Sequence, residues 1–149
     1  MNNRPKVSIV MITYNQEKFV ASAIQSILDQ STTFPFELII SDDNSSDKTQ
    51  EIITSFYFEN TKIIKPKFNK SNIGVIKNFY DAISRCEGEY IAYLDGDDYW
   101  TDPFKLQNQV EFLDSHPEFI ICFTQTLGIY ENSVKADKLR VKTIGNQSF

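Results

Sequence analysis

The stretch YIAYLDGDDYW, residues 90–100, decides the fold. Aromatic, β-branched and aliphatic side chains over residues 90–94 suit a strand. That strand runs straight into Asp95, Asp97 and Asp98, three carboxylates within four positions. Like charges this close repel, and each costs desolvation if covered. A positive partner among them relieves both costs. Gly96 lets the backbone turn so that Asp95 and Asp97 face one point. Two hard oxygen ligands suit Mg2+ or Mn2+, which keep positions open for water and phosphate oxygens. An Asp-Gly turn is common after any strand. It accounts for one Asp and the Gly, but not for three acids against an apolar strand with Trp100 beside them.

Outward from this stretch, short apolar runs alternate with longer amphipathic ones. Residues 7–12 read as a buried strand. Residues 17–29 read as a helix with Phe19, Val20, Ala23, Ile24, Ile27 and Leu28 on one stripe. A second strand is expected over 36–41, and Ser45, Ser46 and Asp47 are candidate N-caps of the helix after it. Residues 62–65 read as a third strand closed by Pro66. A third helix over 75–86 is entered through Asn72-Ile73-Gly74, and Gly88 separates it from a fourth strand over 89–94. Asp102-Pro103 opens a fourth helix ending near Ser115-His116-Pro117. Residues 119–125 read as a fifth strand, and a short further strand is expected around Gly128 to Tyr130. This rhythm implies right-handed crossovers and an α/β fold with a mostly parallel sheet covered on both faces.

A length of 149 residues suits one domain with a real core. The net charge of −5 argues against a nucleic-acid partner. The basic run KIIKPKFNK, residues 62–70, reads as a solvated loop. Cys86 and Cys122 are too few for a disulfide scaffold and read as free thiols. The first apolar run, VSIVMI, is too short for the core of an export signal. No apolar run approaches the roughly 20 residues of a membrane span. These features point to a cytoplasmic location, with membrane contact limited to the periphery. His116 reads as a surface residue at a helix end.

In open α/β sheets, ligands bind outside the carboxyl ends of the strands. Three polar clusters fall at such ends: Thr13-Tyr14-Asn15, Asp42-Asp43-Asn44 and Asp95-Gly96-Asp97-Asp98. Their convergence on one crevice is more informative than any one of them. The acids and serines of SDDNSSDKT, residues 41–49, serve equally as loop and cap residues or as an acceptor for the N–H of a pyrimidine base. Lys77 follows Gly74 on the first turn of a helix. It reads either as an exposed helix lysine or as a phosphate partner at the helix N-terminus. Tyr99 and Trp100 read either as a stacking platform or as packing under the loop.

Four stretches carry a resemblance: VSIVMITYNQEKFVASAIQSILDQS (7–31), FELIISDDNSSDKT (36–49), NIGVIKNFYDAISRCEGEYIAYLDGDDYW (72–100) and DPFKLQNQVEFL (102–113). In sequence, order and spacing they resemble the family 2 glycosyltransferases, over residues 6 to about 123. The resemblance implies the GT-A fold, Rossmann-like, with a mostly parallel sheet flanked by helices. It also implies inverting transfer of a sugar from a nucleotide diphosphate donor, a UDP-sugar, to a hydroxyl of a saccharide or lipid-linked acceptor. Bacterial surface polysaccharide synthesis is the setting that family analogy suggests. Carried over residue by residue, it puts Thr13 and Tyr14 beside the nucleotide and Asp43 on a uracil-type base. Lys77 falls near the donor. Asp95 and Asp97 match the Asp-x-Asp motif that holds Mn2+ or Mg2+ on the donor diphosphate, and Asp98 is the extra acid many members carry.

The family's catalytic base lies after the fifth strand. Glu131 and Asp137 are the only acids beyond residue 125, and neither stands in a matching motif. The expectation is a nucleotide-sugar-binding domain over 1–125, followed over 126–149 by the incomplete start of an acceptor-side region, so that the fold is truncated on its C-terminal side. The alternative is a non-catalytic nucleotide-binding or assembly module. A phosphotransferase of the haloacid dehalogenase type also uses an Asp-x-Asp loop. That family places the loop after its first strand, whereas here it follows the fourth.

Overall fold

The computed structural model describes residues 4–126 and 128. Among them the chain runs β1 (Val7–Thr13), α1 (Val20–Leu28), β2 (Phe36–Asp42), α2 (Thr49–Glu59), β3 (Ile64–Phe68), α3 (Val75–Ser84), β4 (Tyr90–Tyr93) and α4 (Lys105–Ser115). The strands form one parallel sheet in the order β3-β2-β1-β4. β1 is buried along its whole length, as its largely apolar run requires of a central parallel strand. Successive side chains alternate between two cores. Val7, Ile9 and Met11 join Leu38, Ile40 and Ile64 under α1, with Ile53 of α2 and Leu106 and Val110 of α4. Val10, Ile12 and Ile39 pack on the other side against Ala82 and Phe79 of α3. The sheet is thus covered on both faces, as the rhythm of the sequence implies. The body that carries it ends at Glu111, and a second unit begins at Phe112.

Three expectations are corrected. Residues 119–125 form no strand. An apolar run joins a sheet only where another backbone takes its hydrogen bonds, and here Phe119 N–H instead donates to His116 O (3.0 Å) in a turn. Ile120 and Phe123 are left largely exposed. Pro66 does not close β3 but lies inside it, paired in register with Ile40. β3 is an edge strand with one neighbour, the place where a missing N–H is tolerated. Helix α1 starts at Val20 rather than at residue 17. Glu17 is occupied elsewhere, its carboxylate accepting from Lys48 N–H (3.0 Å). The strand expected around Gly128 to Tyr130 lies outside the described residues apart from Gly128, as do Glu131 and Asp137.

At the amino ends of the strands, Glu37 of β2 is buried (2% exposed). Its carboxylate accepts from Ser8 Oγ (2.5 Å) and Glu87 N–H (2.9 Å), and it pairs with Lys65 Nζ (2.6 Å). Gly88 is required beside it, because a Cβ there would lie 2.5 Å from Ser8 N. Burial pushes the Glu37 carboxyl up, but the hydrogen bonds from Lys65, Ser8 and Glu87 outweigh it, so the group sits below its ordinary value of 4.5. A carboxylate lowered in the folded state stabilises the fold above its unfolded value, and that stabilisation is lost as pH falls through the folded value. Glu37→Gln should therefore cost about 1–3 kcal/mol at pH 7. It should also flatten the loss of stability below pH 4.5. Urea midpoints of both proteins across that range check both effects.

Candidate functional site

The carboxyl ends of β1, β2 and β4 open on one cleft of about 210 Å3, lined among others by Thr13, Tyr14, Gln16, Asp43, Asn78 and Asp95. The chain adds β2 and β3 on one side of β1 and then returns to place β4 on the other. The cleft therefore sits at the topological switch point, where α/β sheets bind ligands. All three expected polar clusters contribute to it.

Asp42 and Asp43, adjacent in sequence, have different surroundings. Asp42 is fully buried. Its Oδ1 accepts from Thr13 Oγ1 (2.9 Å) and Ser45 Oγ (2.5 Å), and its Oδ2 from Ser45 N–H (2.9 Å) and Gln50 Nε2 (2.6 Å). A carboxylate offers about four acceptor positions, and all are taken. Asp43, 3% exposed, lines the cleft. Its Oδ1 accepts from Asn69 Nδ2 (3.1 Å) and Ile73 N–H (2.8 Å), and its Oδ2 from Gly74 N–H (2.9 Å). Among the described residues Oδ2 takes no second donor, which leaves this cleft-lining carboxylate one acceptor position. These bonds also pin the entry to α3, where Gly74 adopts φ +88°, a conformation L side chains disfavour.

The loops after β1 and β2 are laced together. Asn15 N–H donates to Ser45 Oγ (2.9 Å), while Ser46 N–H returns to Asn15 Oδ1 (2.8 Å). Gln16 N–H donates to Thr49 Oγ1 (2.8 Å), and Glu17 N–H to Asp47 Oδ2 (3.0 Å). Asn15 and Asn44 both take positive φ, 53° and 65°, which Asn tolerates better than most residues. Tyr14, half exposed, is held at the rim by this lacing.

After β4, Asp98 N–H donates to Asp95 O (3.1 Å) and closes a turn, and the Tyr93 hydroxyl donates to Asp95 Oδ1. Burial, and then the Asp95 carboxylate, push the Tyr93 hydroxyl far above its ordinary value, so it keeps its proton for that bond. Burial and the neighbouring Asp97 and Asp95 carboxylates push the Asp98 carboxyl up as well. Three acids in one turn repel one another, and a cation would relieve them. Asp95 lines the cleft, while Asp97 and Asp98 are exposed beside it. Among the described residues no three His, Cys, Asp or Glu side chains form a group that could hold a metal ion alone. The Asp95, Asp97 and Asp98 carboxylates are hard oxygen donors, the ligand type that Mg2+ and Mn2+ take.

Lys77 is exposed on the first turn of α3 and is not among the cleft-lining residues, whereas its neighbour Asn78 is buried and is. Trp100 packs against the core under α1, with Lys105 Nζ 4.7 Å above its ring, while Tyr99 is half exposed. Both border a larger open depression of about 690 Å3 beside α1, whose lining includes none of Thr13, Tyr14, Asp43, Lys77, Asp95 and Asp97. Sequence reasoning missed Gln16, Asn69 and Asn78. The one signal for Asn78 was a polar residue four positions before Ala82, on the stripe that faces the sheet.

The Glycosyl transferase family 2 profile matches residues 8–147. The chain belongs to that family. An uncharacterised protein of Mycobacterium tuberculosis is 46% identical over 129 residues, covering 87% of this chain and 37% of its own. TuaG of Bacillus subtilis, named for teichuronic acid biosynthesis, is 35% identical over 112 residues, 75% of this chain and 43% of its own. TarS of Staphylococcus aureus, solved with UDP and with UDP-GlcNAc, superposes with a TM-score of 0.66 at 31% identity. That match covers 75% of this chain and about a third of the TarS chain. The fold is therefore that of the GT-A glycosyltransferases. The chain spans less than half the length of each of these relatives.

Gly96 joins the acidic turn to β1. A Cβ at this position would come 2.7 Å from Thr13 Cγ2 and would also strike Gln16 Oε1. Gly96→Ala must push the Asp95–Asp98 turn away from the end of β1. Overpacking of this kind costs about 1–3 kcal/mol. The expected outcome is a lowered thermal midpoint with a larger proportional loss of ligand affinity at the cleft, read by differential scanning calorimetry and titration.

Proposed function

We propose that the cleft binds the nucleotide of a sugar nucleotide, a UDP-sugar, as the donor half of an inverting glycosyl transfer. The observation that carries this reading is Asp43: a buried carboxylate in the cleft lining, held by three donors, with one acceptor position left over. An acceptor fixed in this way suits the N3–H of uracil and disfavours cytosine, whose N3 bears no proton. Tyr14 at the rim offers a ring face to the base, and Thr13 shapes the floor beneath it. Complexes of TarS with UDP and UDP-GlcNAc support the choice of nucleotide.

Asp95 and Asp97 would hold Mn2+ or Mg2+ against the donor diphosphate. Such a cation stabilises the charge that builds on the leaving phosphate oxygen. The chain's own part is to present the two carboxylates on a turn fixed by the Asp98–Asp95 backbone bond, with Tyr93 orienting Asp95. Gly74 and the N-terminus of α3 border the cleft and favour the phosphates, and Lys77, exposed on the first turn of α3, would turn toward them. The acceptor would be a saccharide or lipid-linked hydroxyl in cell-surface polysaccharide synthesis, a setting supported by the name of TuaG. Transfer would take place in the cytoplasm or at the inner face of the membrane. Among the described residues, no helix is long and apolar enough to cross a membrane.

Inversion needs a base on the acceptor hydroxyl. Asp43 and Asp95 are both engaged by donors within the fold, so neither is offered as that base. The proposed division of labour is donor binding by residues 7–100 and general-base help from outside the described residues.

Titration calorimetry tests the donor reading. UDP with Mn2+ should bind, EDTA should remove most of that affinity, and CDP should bind more weakly. Asp97→Ala should lose about 2 kcal/mol of the metal-dependent part. Asp43→Asn should weaken UDP by about 1–3 kcal/mol and blur the preference over CDP. Equal UDP affinity with and without metal would sink the cation, and equal UDP and CDP affinity would sink the role of Asp43.

A further inference from the structure

We infer that Asn78 is a positioning residue that sets the base preference of the cleft by fixing, through Asn69, the orientation of the Asp43 carboxylate. The inference rests on the reading of Asp43 as the base acceptor and assigns the group that controls it. Asn78 lies on the first turn of α3 and is 1% exposed. Its side chain spans the space between β2 and the cleft. Nδ2 donates to the main-chain carbonyl of Ser41 (2.8 Å). A carbonyl accepts and never donates, so chemistry alone fixes which end of the amide faces Ser41. Oδ1 is thereby turned the other way, where it accepts from Ser41 Oγ (2.7 Å) and from Asn69 Nδ2 (2.9 Å).

The same logic passes to the next residue. Asn69 sits just after β3, between two acceptors, Asn78 Oδ1 and the Asp43 carboxylate. It must therefore offer its NH2 to both, at 2.9 Å to Asn78 Oδ1 and 3.1 Å to Asp43 Oδ1. With Nδ2 shared between the two, Oδ1 of Asp43 is filled by Asn69 and Ile73, and the open position is confined to Oδ2 beside Gly74. A relay of two amides thus carries a fixed polarity from the β2 main chain to the carboxylate. Without Asn78, the Asn69 amide loses one of the two acceptors that hold it on Asp43. Once Asn69 leaves, Ile73 and Gly74 still hold the carboxylate, but each of its oxygens has an open position, and it no longer presents one defined acceptor.

The amides of Asn69 and Asn78 need not touch the base, so the readout that separates positioning from folding is discrimination between bases. UDP and CDP affinities are measured by titration at fixed Mn2+ for the wild type, Asn78→Ala and Ser41→Ala, with thermal midpoints alongside. The wild type should prefer UDP by about tenfold or more, and Asn78→Ala should weaken UDP about tenfold while leaving CDP within about twofold, so that the preference collapses. Ser41→Ala removes one donor to Asn78 but keeps the main-chain carbonyl. It should shrink the preference by about threefold and move the side-chain NH2 resonances of Asn69 in a 15N correlation spectrum. If Asn78→Ala does not fold, Ser41→Ala decides, and a preference and Asn69 resonances unchanged in that variant overturn the inference. Equal weakening of UDP and CDP in Asn78→Ala also overturns it and assigns Asn78 a structural role. A wild type that binds UDP and CDP alike removes the reading of Asp43 itself. A preference that is present in the wild type and intact in both variants removes only the relay.

Discussion

A carboxylate with no exposure at all, Asp42, holds the ligand end of this fold together. An ion taken out of water costs several kcal/mol unless its lone pairs are met. Here donors come from three directions: Thr13 at the end of β1, Ser45 in the loop after β2, and Gln50 in the first turn of α2. The main-chain carbonyl of Asp42 also accepts from Asn69 N–H at the end of β3 (2.9 Å). One residue thereby fixes the relative positions of three strand ends and a helix start. The register that pairs Thr13 with Asp42 is what lets the first of these bonds form. A slip of one residue would leave the charge unmet.

That anchoring gives the next residue its freedom. Because Asp42 is saturated, Asp43 need not hold β1 or α2. It turns instead toward the entry of α3, where backbone N–H groups of Ile73 and Gly74 approach it. Strand alternation sends neighbouring side chains to opposite sides, so two identical residues meet two different donor sets. The division between scaffold and site falls between adjacent positions of a single motif.

Most of the architecture was legible in the sequence because it follows from period. The run of residues 7–12, apolar except for Ser8, and the stripe in α1 each have one reading, and both elements are present. Convergence of the three polar clusters was legible from strand ends alone. Pro66 was misread because its tolerance depends on which strand is at the edge, and strand order is not written locally. The run over 119–125 was misread because apolar character gives the capacity to pair but not the partner. The Asn69–Asn78 relay was beyond reach. Asn is ordinary in loops and helix starts, and its meaning here comes from a contact between β2, α3 and the end of β3.

The acids of the cleft also bear on what the site must add. Asp43 and Asp95 line it, Asp97 and Asp98 stand beside it, and Lys77 is solvent-exposed on α3. A diphosphate approaching this turn meets repulsion, and at a few ångströms in a partly desolvated cleft that amounts to kilocalories rather than tenths. Asp43 is already offset by its three donors, whereas Asp97 and Asp98 repel within their own turn, where burial and then the neighbouring carboxylates push the Asp98 carboxyl up. A divalent cation on the turn would change the sign of both interactions at once, relieving the acids and attracting the diphosphate. On the donor reading, cation and nucleotide should therefore bind with positive coupling: each completes the other's electrostatic environment, and by linkage the gain is the same from either side.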